Sequence, residues 1–277
     1  MQKIFTVLPD FLRDPDEFFR SIQNNENVPE KAFQLGLASL FSLAVYGFAT
    51  GLSHSFWQGI SAAVKMPVLF LSAIIFCLPA LYFFSLALLG TPLRMIQVLT
   101  VVLSGIAVTA FLLLGLSPIS FFFVLTSENY PFFQLLTVIF VGLSSLVGVY
   151  FLWRGMTLVE PAKNDGRQTL GRWILLLWIG LYAFVGTQMT WRLSPFISNP
   201  QNPFVLLQPS RDNFYMDVVN AMQQSLNLGS GGLEWVTPLL LGVFCIGLPV
   251  IAIFGGGMFL GSTSWRKTGT EQKGKIS

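Results

Sequence analysis

Residues 173–190 read WILLLWIGLYAFVGTQMT and run directly into WRLSPFISNPQNPF, residues 191–204. The first stretch is uncharged and approaches the roughly 20 apolar residues that a helix needs to cross the hydrocarbon core of a membrane. Gln188, Trp191 and Arg192 stand where it ends. A polar side chain, an aromatic anchor and a fixed charge at one point indicate a membrane surface. The chain is therefore predicted to leave the membrane here and to continue as a polar segment on one side.

The composition of the whole chain also indicates a membrane protein. Hydrophobic residues make up 53% of the 277 residues, charged residues make up only 10%, and the mean hydropathy is +0.65, which does not suit the surface of a soluble domain. Continuous Leu, Phe and Val runs favour helices, because the strands of a membrane barrel alternate over segments of about ten residues. We expect an all-α integral membrane protein with a bundle of six transmembrane helices. The uncharged runs cover residues 33–52, 66–90, 95–117, 132–153, 173–191 and 236–260.

The positions of the basic residues predict the orientation of the bundle. Of the 16 Lys and Arg residues, all except Lys65, Arg192 and Arg211 fall in the two termini and in alternate loops. Because loops rich in Lys and Arg stay in the cytoplasm, both termini are predicted to be cytoplasmic. The sequence pI of about 8.9 is thus a signal of topology. No basic stripe with interleaved aromatics points to nucleic acid as a partner.

Residues 1–31 are predicted to form a cytoplasmic N-terminal segment. They carry both charge signs and lack the apolar core and cleavage site of a signal peptide. Asp14 is a favourable N-cap and Pro15 suits the first helical position, so a short helix should begin there. Its apolar side, with Phe18, Phe19 and Ile22, suits a helix lying at the membrane interface. Packing of the helix on the protein's own loops is the alternative.

Small residues and short links suggest how neighbouring spans pack. Gly47 and Gly51 have the spacing that lets two helix backbones approach closely, either within one chain or between two copies. The link 91–94 is so short that the second and third spans are expected to form a tight antiparallel hairpin. Residues 117–133, SPISFFFVLTSENYPFF, are too short to cross a membrane and too apolar for water, so they are expected to lie in the outer interface.

The segment 190–235 is predicted to form an ordered cap on the outer ends of the spans. Three prolines interrupt any long helix at its start, while Asp212 or Asn213 should cap a short amphipathic helix over 214–226. Arg192 is expected to pair with a carboxylate of the same segment. This cap either shields the helix ends or binds a partner. Its candidate residues, for either role, are Gln188, Trp191, Arg192, Phe196, Arg211, Asp212, Phe214 and Tyr215.

The sequence lacks the residues that several kinds of chemistry need. No acidic or basic residue lies inside the six runs, which argues against ion-coupled transport. Cys77 and Cys245 both fall within spans, so the sequence offers no redox pair of cysteines. His54 is the one histidine of the chain, which excludes bis-histidine haem ligation and leaves no recognisable set of metal ligands. Phosphate-binding loops and hydrolase motifs are absent from the sequence as well. We therefore expect no cofactor, no metal and no enzymatic activity.

The sequence DPDEFF at residues 14–19, in a cytoplasmic segment before helical spans broken by Gly and Pro, resembles the Yip-type membrane proteins and their bacterial relatives. The resemblance covers about residues 1–153, and the long segment 190–235 departs from it. It implies a non-enzymatic role in organising membranes or membrane complexes. No functional residue is carried over from it.

Two functions follow as hypotheses. The first is a non-catalytic scaffold, anchor or accessory subunit of a larger membrane assembly, with membrane lipids and other membrane-protein subunits as partners. A homo-oligomer is compatible with it. The second is a channel or uncoupled carrier for a small neutral or lipidic solute. We expect a multi-pass protein of a bacterial cytoplasmic membrane, with a thylakoid-type internal membrane as the alternative, and a disordered basic tail over 262–277.

Overall fold

The computed structural model describes residues 11–53, 55–84, 93–126, 130–159, 177–186, 218 and 220–222, and these residues form helices and turns without a strand. This confirms the all-α prediction for the part of the chain that is described. The helices are α1 (Pro15–Gln23), α2 (Val28–Gly51), α3 (Phe56–Phe84), α4 (Met95–Thr126), α5 (Tyr130–Val159) and α6 (Leu177–Gly186).

Three of these helices, α2, α4 and α5, are long and apolar enough to cross a membrane. They contain the predicted spans at 95–117 and 132–153, and the span at 33–52 as far as Gly51. The predicted span at 66–90 coincides with α3 as far as Phe84, and the span at 173–191 overlaps α6. The span at 236–260 and the basic tail lie outside the described residues, as does the cap at 190–235 apart from residues 218 and 220–222. The count of six spans and the orientation therefore stay predictions.

Helix α4 lies at the centre of the bundle. It packs along α2 on one side and along α5 on another. Much more of the apolar part of α4 than of α5 is buried inside the bundle. Helix α3 packs along α2 and touches α4 at few positions. The hairpin expected from the short link 91–94 is therefore not the main packing partnership. Close packing of α3 on α2 through small residues takes its place.

The end of α4 corrects another expectation. Residues 117–126 do not form a separate interfacial segment but continue α4, and α5 begins four residues later at Tyr130. Pro118 inside the helix lacks the N–H that would bond to the carbonyl of Leu114. The Ser117 hydroxyl donates to that carbonyl at 2.7 Å, so the freed acceptor is satisfied and the helix continues. At about 1.5 Å per residue, α4 exceeds the roughly 30 Å of a hydrocarbon core.

Polar and apolar side chains are distributed as in a membrane bundle. Small polar residues of α2, α4 and α5 are buried between the helices, and many of their hydroxyls donate to a carbonyl one turn back in the same helix. Large apolar side chains point outward in stripes at helical spacing, which suits contact with lipid. On α2 the stripe is Phe33, Leu37 and Phe41, and on α5 it is Ile139, Leu143 and Val147.

Candidate functional site

The first notable site is the docking of α1 across the ends of α4 and α5. As predicted, Asp14 caps α1: its side chain accepts a hydrogen bond from the backbone N–H of Glu17 at 3.1 Å. Asn25 and Asn27 in the following turn have φ values of 63° and 49°, a left-handed conformation that asparagine tolerates better than most residues. The turn leads into α2, whose Lys31 contacts Ser21 of α1.

A charged pair fixes α1 to α5. The guanidinium of Arg154 donates through Nε to Asp16 Oδ1 and through Nη2 to Asp16 Oδ2, both at 2.8 Å. This two-point geometry is the strongest form of an arginine–carboxylate contact. The side chains are 22% and 41% exposed, so water weakens the attraction without removing it. The pair joins two helices that lie far apart in the sequence.

The apolar side of α1 is buried against the bundle. Phe19 and Ile22 are fully buried, and Phe11 just before the helix meets Phe151 of α5 edge to face, with 5.4 Å between ring centroids. Gly155 of α5 leaves room for the Phe19 ring: a Cβ at Gly155 would lie 2.7 Å from Phe19 Cζ. The apolar side of α1 therefore packs on the protein's own helices. Whether α1 also lies at a membrane surface stays a prediction.

A hydrogen bond ties α1 to the start of α4. Gln97 Nε2 donates to the carbonyl of Ile22 at 2.8 Å, and Gln97 Oε1 accepts from the backbone N–H of Arg94 at the same distance. Gln97 thus satisfies one carbonyl at the end of α1 and one amide at the start of α4. On α2, Lys31 donates to the Ser21 hydroxyl and lies 5.5 Å from the centre of the Phe18 ring. Three helices of the bundle hold α1 in place.

Charge is concentrated at this end of the bundle. Among the described residues, every Asp, Glu, Arg and Lys other than Lys65 lies in α1, in the turns beside it, or at the adjoining ends of α2, α4 and α5. Within the same residues, no group of His, Cys, Asp and Glu could hold a metal ion. This end has the features of a structural junction, with a fixed ion pair and a buried aromatic cluster.

The opposite half of the bundle contains a second notable site, which is polar and uncharged. Tyr46 of α2 is fully buried beside Leu43, Met66 and Leu113, and its hydroxyl lies close to the side chains of Ser120 and Thr137. No contact of that hydroxyl meets the geometry of a hydrogen bond. Other buried polar atoms without a partner in the described part belong to Ser53, Gln58, Ser120 and Ser144.

No family model, no curated protein and no solved structure matches this chain. The resemblance to Yip-type proteins accordingly stays a prediction.

The site residues predicted from the sequence, Gln188, Trp191, Arg192, Phe196, Arg211, Asp212, Phe214 and Tyr215, lie outside the described residues. Within the helix expected over 214–226, residues 218 and 220–222 are helical, with Val218 and Ala221 buried and Asn220 exposed. Four described residues do not establish a helix over 214–226, which stays a prediction.

Sequence reasoning did not find Arg154, Gly155 or Tyr46. Arg154 counted only as a cation for topology, and neither Gly155 nor Tyr46 belongs to a motif. The acidic start of α1, Asp16 and Glu17, is explained by the helix dipole alone and did not indicate Arg154 as a partner.

Proposed function

We propose that this chain is a non-catalytic, multi-span membrane protein that acts as a scaffold or accessory subunit of a larger membrane assembly. We further propose that it has six spans, that both termini lie in the cytoplasm, and that segment 190–235 forms the outer cap. The proposal rests on how the helices pack against one another and on where the charged residues lie.

The observation that carries the proposal is the close contact between helix backbones inside the bundle. A Cβ at Gly47 would lie 2.5 Å from the carbonyl oxygen of Ala62, and a Cβ at Gly105 would lie 2.8 Å from that of Gly148. Helices α2 and α3, and α4 and α5, therefore meet without a gap at these points. Such packing suits a rigid support better than a conduit, because two backbones in contact leave no room for a solute.

The docked α1 supports the cytoplasmic orientation of the N-terminus. Arg13, Arg20, Lys31, Arg94 and Arg154 gather at the α1 end of the bundle. Of the described Lys and Arg residues, Lys65 alone lies elsewhere, and the membrane face that holds most of the Lys and Arg residues is the one that stays in the cytoplasm. The outer end of α3 carries the exposed aromatic side chains of Phe56 and Trp57, which suit a membrane interface.

The test of the scaffold role is purification of the tagged chain from its native membrane in a mild detergent. We expect partner subunits at a fixed integer ratio through size exclusion, and none with an unrelated polytopic protein carrying the same tag. A chain that purifies alone at every detergent condition contradicts the proposal. If partners are found, Arg192→Ala and Phe214→Ala test the cap: retention of every partner by both folded variants leaves the cap only a shielding role.

A channel or uncoupled carrier for a small neutral or lipidic solute is the second candidate. The observation that favours it is the set of buried polar atoms without partners around Tyr46, Gln58 and Ser120, because a polar path needs groups of this kind. Its test is flux of small neutral solutes into liposomes that contain the purified chain. Flux above that of protein-free liposomes supports a carrier and opposes a purely structural role.

A further inference from the structure

Lys65 of α3 is a charged side chain just inside the apolar part of the bundle, far from the α1 end. A Cβ at Gly47 of α2 would lie 3.0 Å from Cβ of Met66, the residue after Lys65, so Lys65 lies at about the level of Gly47. Because α2 ends at Gly51, this level is about 6 Å below the end of α2. The uncharged run 33–52 has the length of a hydrocarbon core, so Lys65 lies just inside the edge of that core.

An exposed apolar stripe runs along α3 beside Lys65. Its members are Trp57, Val64, Val68 and Ile75, which are 50–71% exposed and share one side of the helix at helical spacing. Lys65 is half-buried at the border of this stripe. From Val64 to Ile75 the stripe covers about 16 Å, or roughly half the thickness of a hydrocarbon core. The part of the stripe below Lys65 therefore has the length of an acyl chain in one leaflet.

The described part of the bundle offers Lys65 no carboxylate. Among the described residues, every Asp and Glu lies at the α1 end. A cation inside the hydrocarbon edge is costly unless it reaches water or an anion. Helix α3 begins at the membrane surface with Phe56, and side chains on a helix tilt toward its N-terminus, so the flexible stem of Lys65 carries the ammonium group toward that surface. Phospholipid phosphates lie at that level.

We propose that Lys65 and the stripe beside it bind one anionic phospholipid, with the ammonium group on the phosphate and an acyl chain along Val64, Val68 and Ile75. A lipid of net negative charge fits better than a zwitterionic one, because no described acidic residue is near enough to hold the positive group of a zwitterionic headgroup. The proposed orientation of the chain puts this lipid in the outer leaflet. The site itself depends only on the position of Lys65 in α3.

The test uses phosphatidylglycerol with a photoreactive diazirine in one acyl chain, added to phosphatidylcholine vesicles that contain the purified protein. Peptide mass spectrometry after illumination locates the labelled residues. We expect label over residues 64–75 in the unsubstituted protein, and roughly fivefold less in Lys65→Gln. Lys65→Arg, which keeps the charge, should retain the label. The matched control is Arg94→Gln, which removes an exposed cation at the α1 end and should leave the label over 64–75 unchanged.

Two results would overturn the proposal. The first is equal labelling of residues 64–75 in Lys65→Gln and in the unsubstituted protein; if the thermal midpoint of Lys65→Gln in lipid-free detergent is also lower, a protein carboxylate is the partner of Lys65. The second is equal labelling of the unsubstituted protein by phosphatidylcholine with the same diazirine chain, a comparison that decides the matter even if Lys65→Gln does not fold. Because the purified chain is used alone, neither result depends on whether partner subunits exist.

Discussion

Replacement of Gly47 by alanine tests the packing of α2 on α3. The added Cβ would lie 2.5 Å from the Ala62 carbonyl oxygen and 3.0 Å from Met66 Cβ. Ordinary contacts begin at about 3.4 Å, so the two helices must separate by about 1 Å. The oxygen belongs to the backbone of α3 and cannot turn aside as a flexible side chain would. Overpacking of this kind costs about 1–3 kcal/mol.

Gly36→Ala is the matched control on the same helix. A Cβ at Gly36 meets no atom within 4 Å. Both substitutions change the intrinsic helix propensity by the same amount, about 1 kcal/mol in favour of alanine, so that term cancels in the comparison. The difference of 1–3 kcal/mol corresponds to thermal midpoints about 2–12 °C apart, with Gly47→Ala the lower. The assay is thermal unfolding of the detergent-solubilised variants, followed by tryptophan fluorescence. Equal midpoints for the two variants would refute the close packing of α2 on α3.

Two further predictions concern the docking of α1. Gly155→Ala should release α1, because the new Cβ would collide with the buried Phe19 ring. The control is Gly115→Ala, whose Cβ meets nothing within 4 Å. We expect faster amide hydrogen exchange over residues 15–23 in Gly155→Ala alone, and equal exchange in the two variants would contradict this docking. A double-mutant cycle of Asp16→Asn and Arg154→Gln should give a coupling free energy of about 1 kcal/mol, or roughly fivefold in the undocking equilibrium, because the two-point ion pair is partly exposed. Additive effects of the two substitutions on amide hydrogen exchange in α1 would show that the pair does not hold α1.

Local features of the fold could be predicted from the sequence because their causes are local. The start of α1 follows from Asp14 and Pro15, whose side chains act on the next few backbone groups. The spacing of Gly47 and Gly51 indicated a packing face, and these glycines do contact α3 of the same chain. Uncharged apolar runs likewise predicted α2, α4 and α5.

Features that depend on distant residues could not be predicted in this way. Asp16 and Arg154 are 138 positions apart, and the residues around each of them do not indicate the other as a partner. Residues 117–133 were expected to lie in the outer interface, but the Ser117 hydroxyl compensates for the backbone bond that Pro118 lacks, so α4 continues to Thr126. The short link 91–94 suggested that the helices on either side of it pair. Instead, α3 packs along α2, where Gly47 and Gly51 let the two backbones approach closely.

The site around Tyr46 shows the same limit for function. A tyrosine in an apolar run reads as an ordinary core residue until three helices bring it beside Ser120 and Thr137. The candidate residues at 188–215 were selected by the opposite logic, from a local cluster of polar and aromatic residues at the end of a span. Their role depends on neighbours that a local pattern does not identify.

Cysteine accessibility on the two sides of the membrane tests the central claim most directly, namely that α4 crosses the bilayer with the α1 end in the cytoplasm. Asn24→Cys and Thr126→Cys each place one thiol at an exposed position, at opposite ends of the bundle, in a background with Cys77→Ser and Cys245→Ser. With a membrane-impermeant maleimide, we expect position 126 to label in intact cells and position 24 to label only after the membrane is opened. Labelling of both positions from the same side would contradict the account.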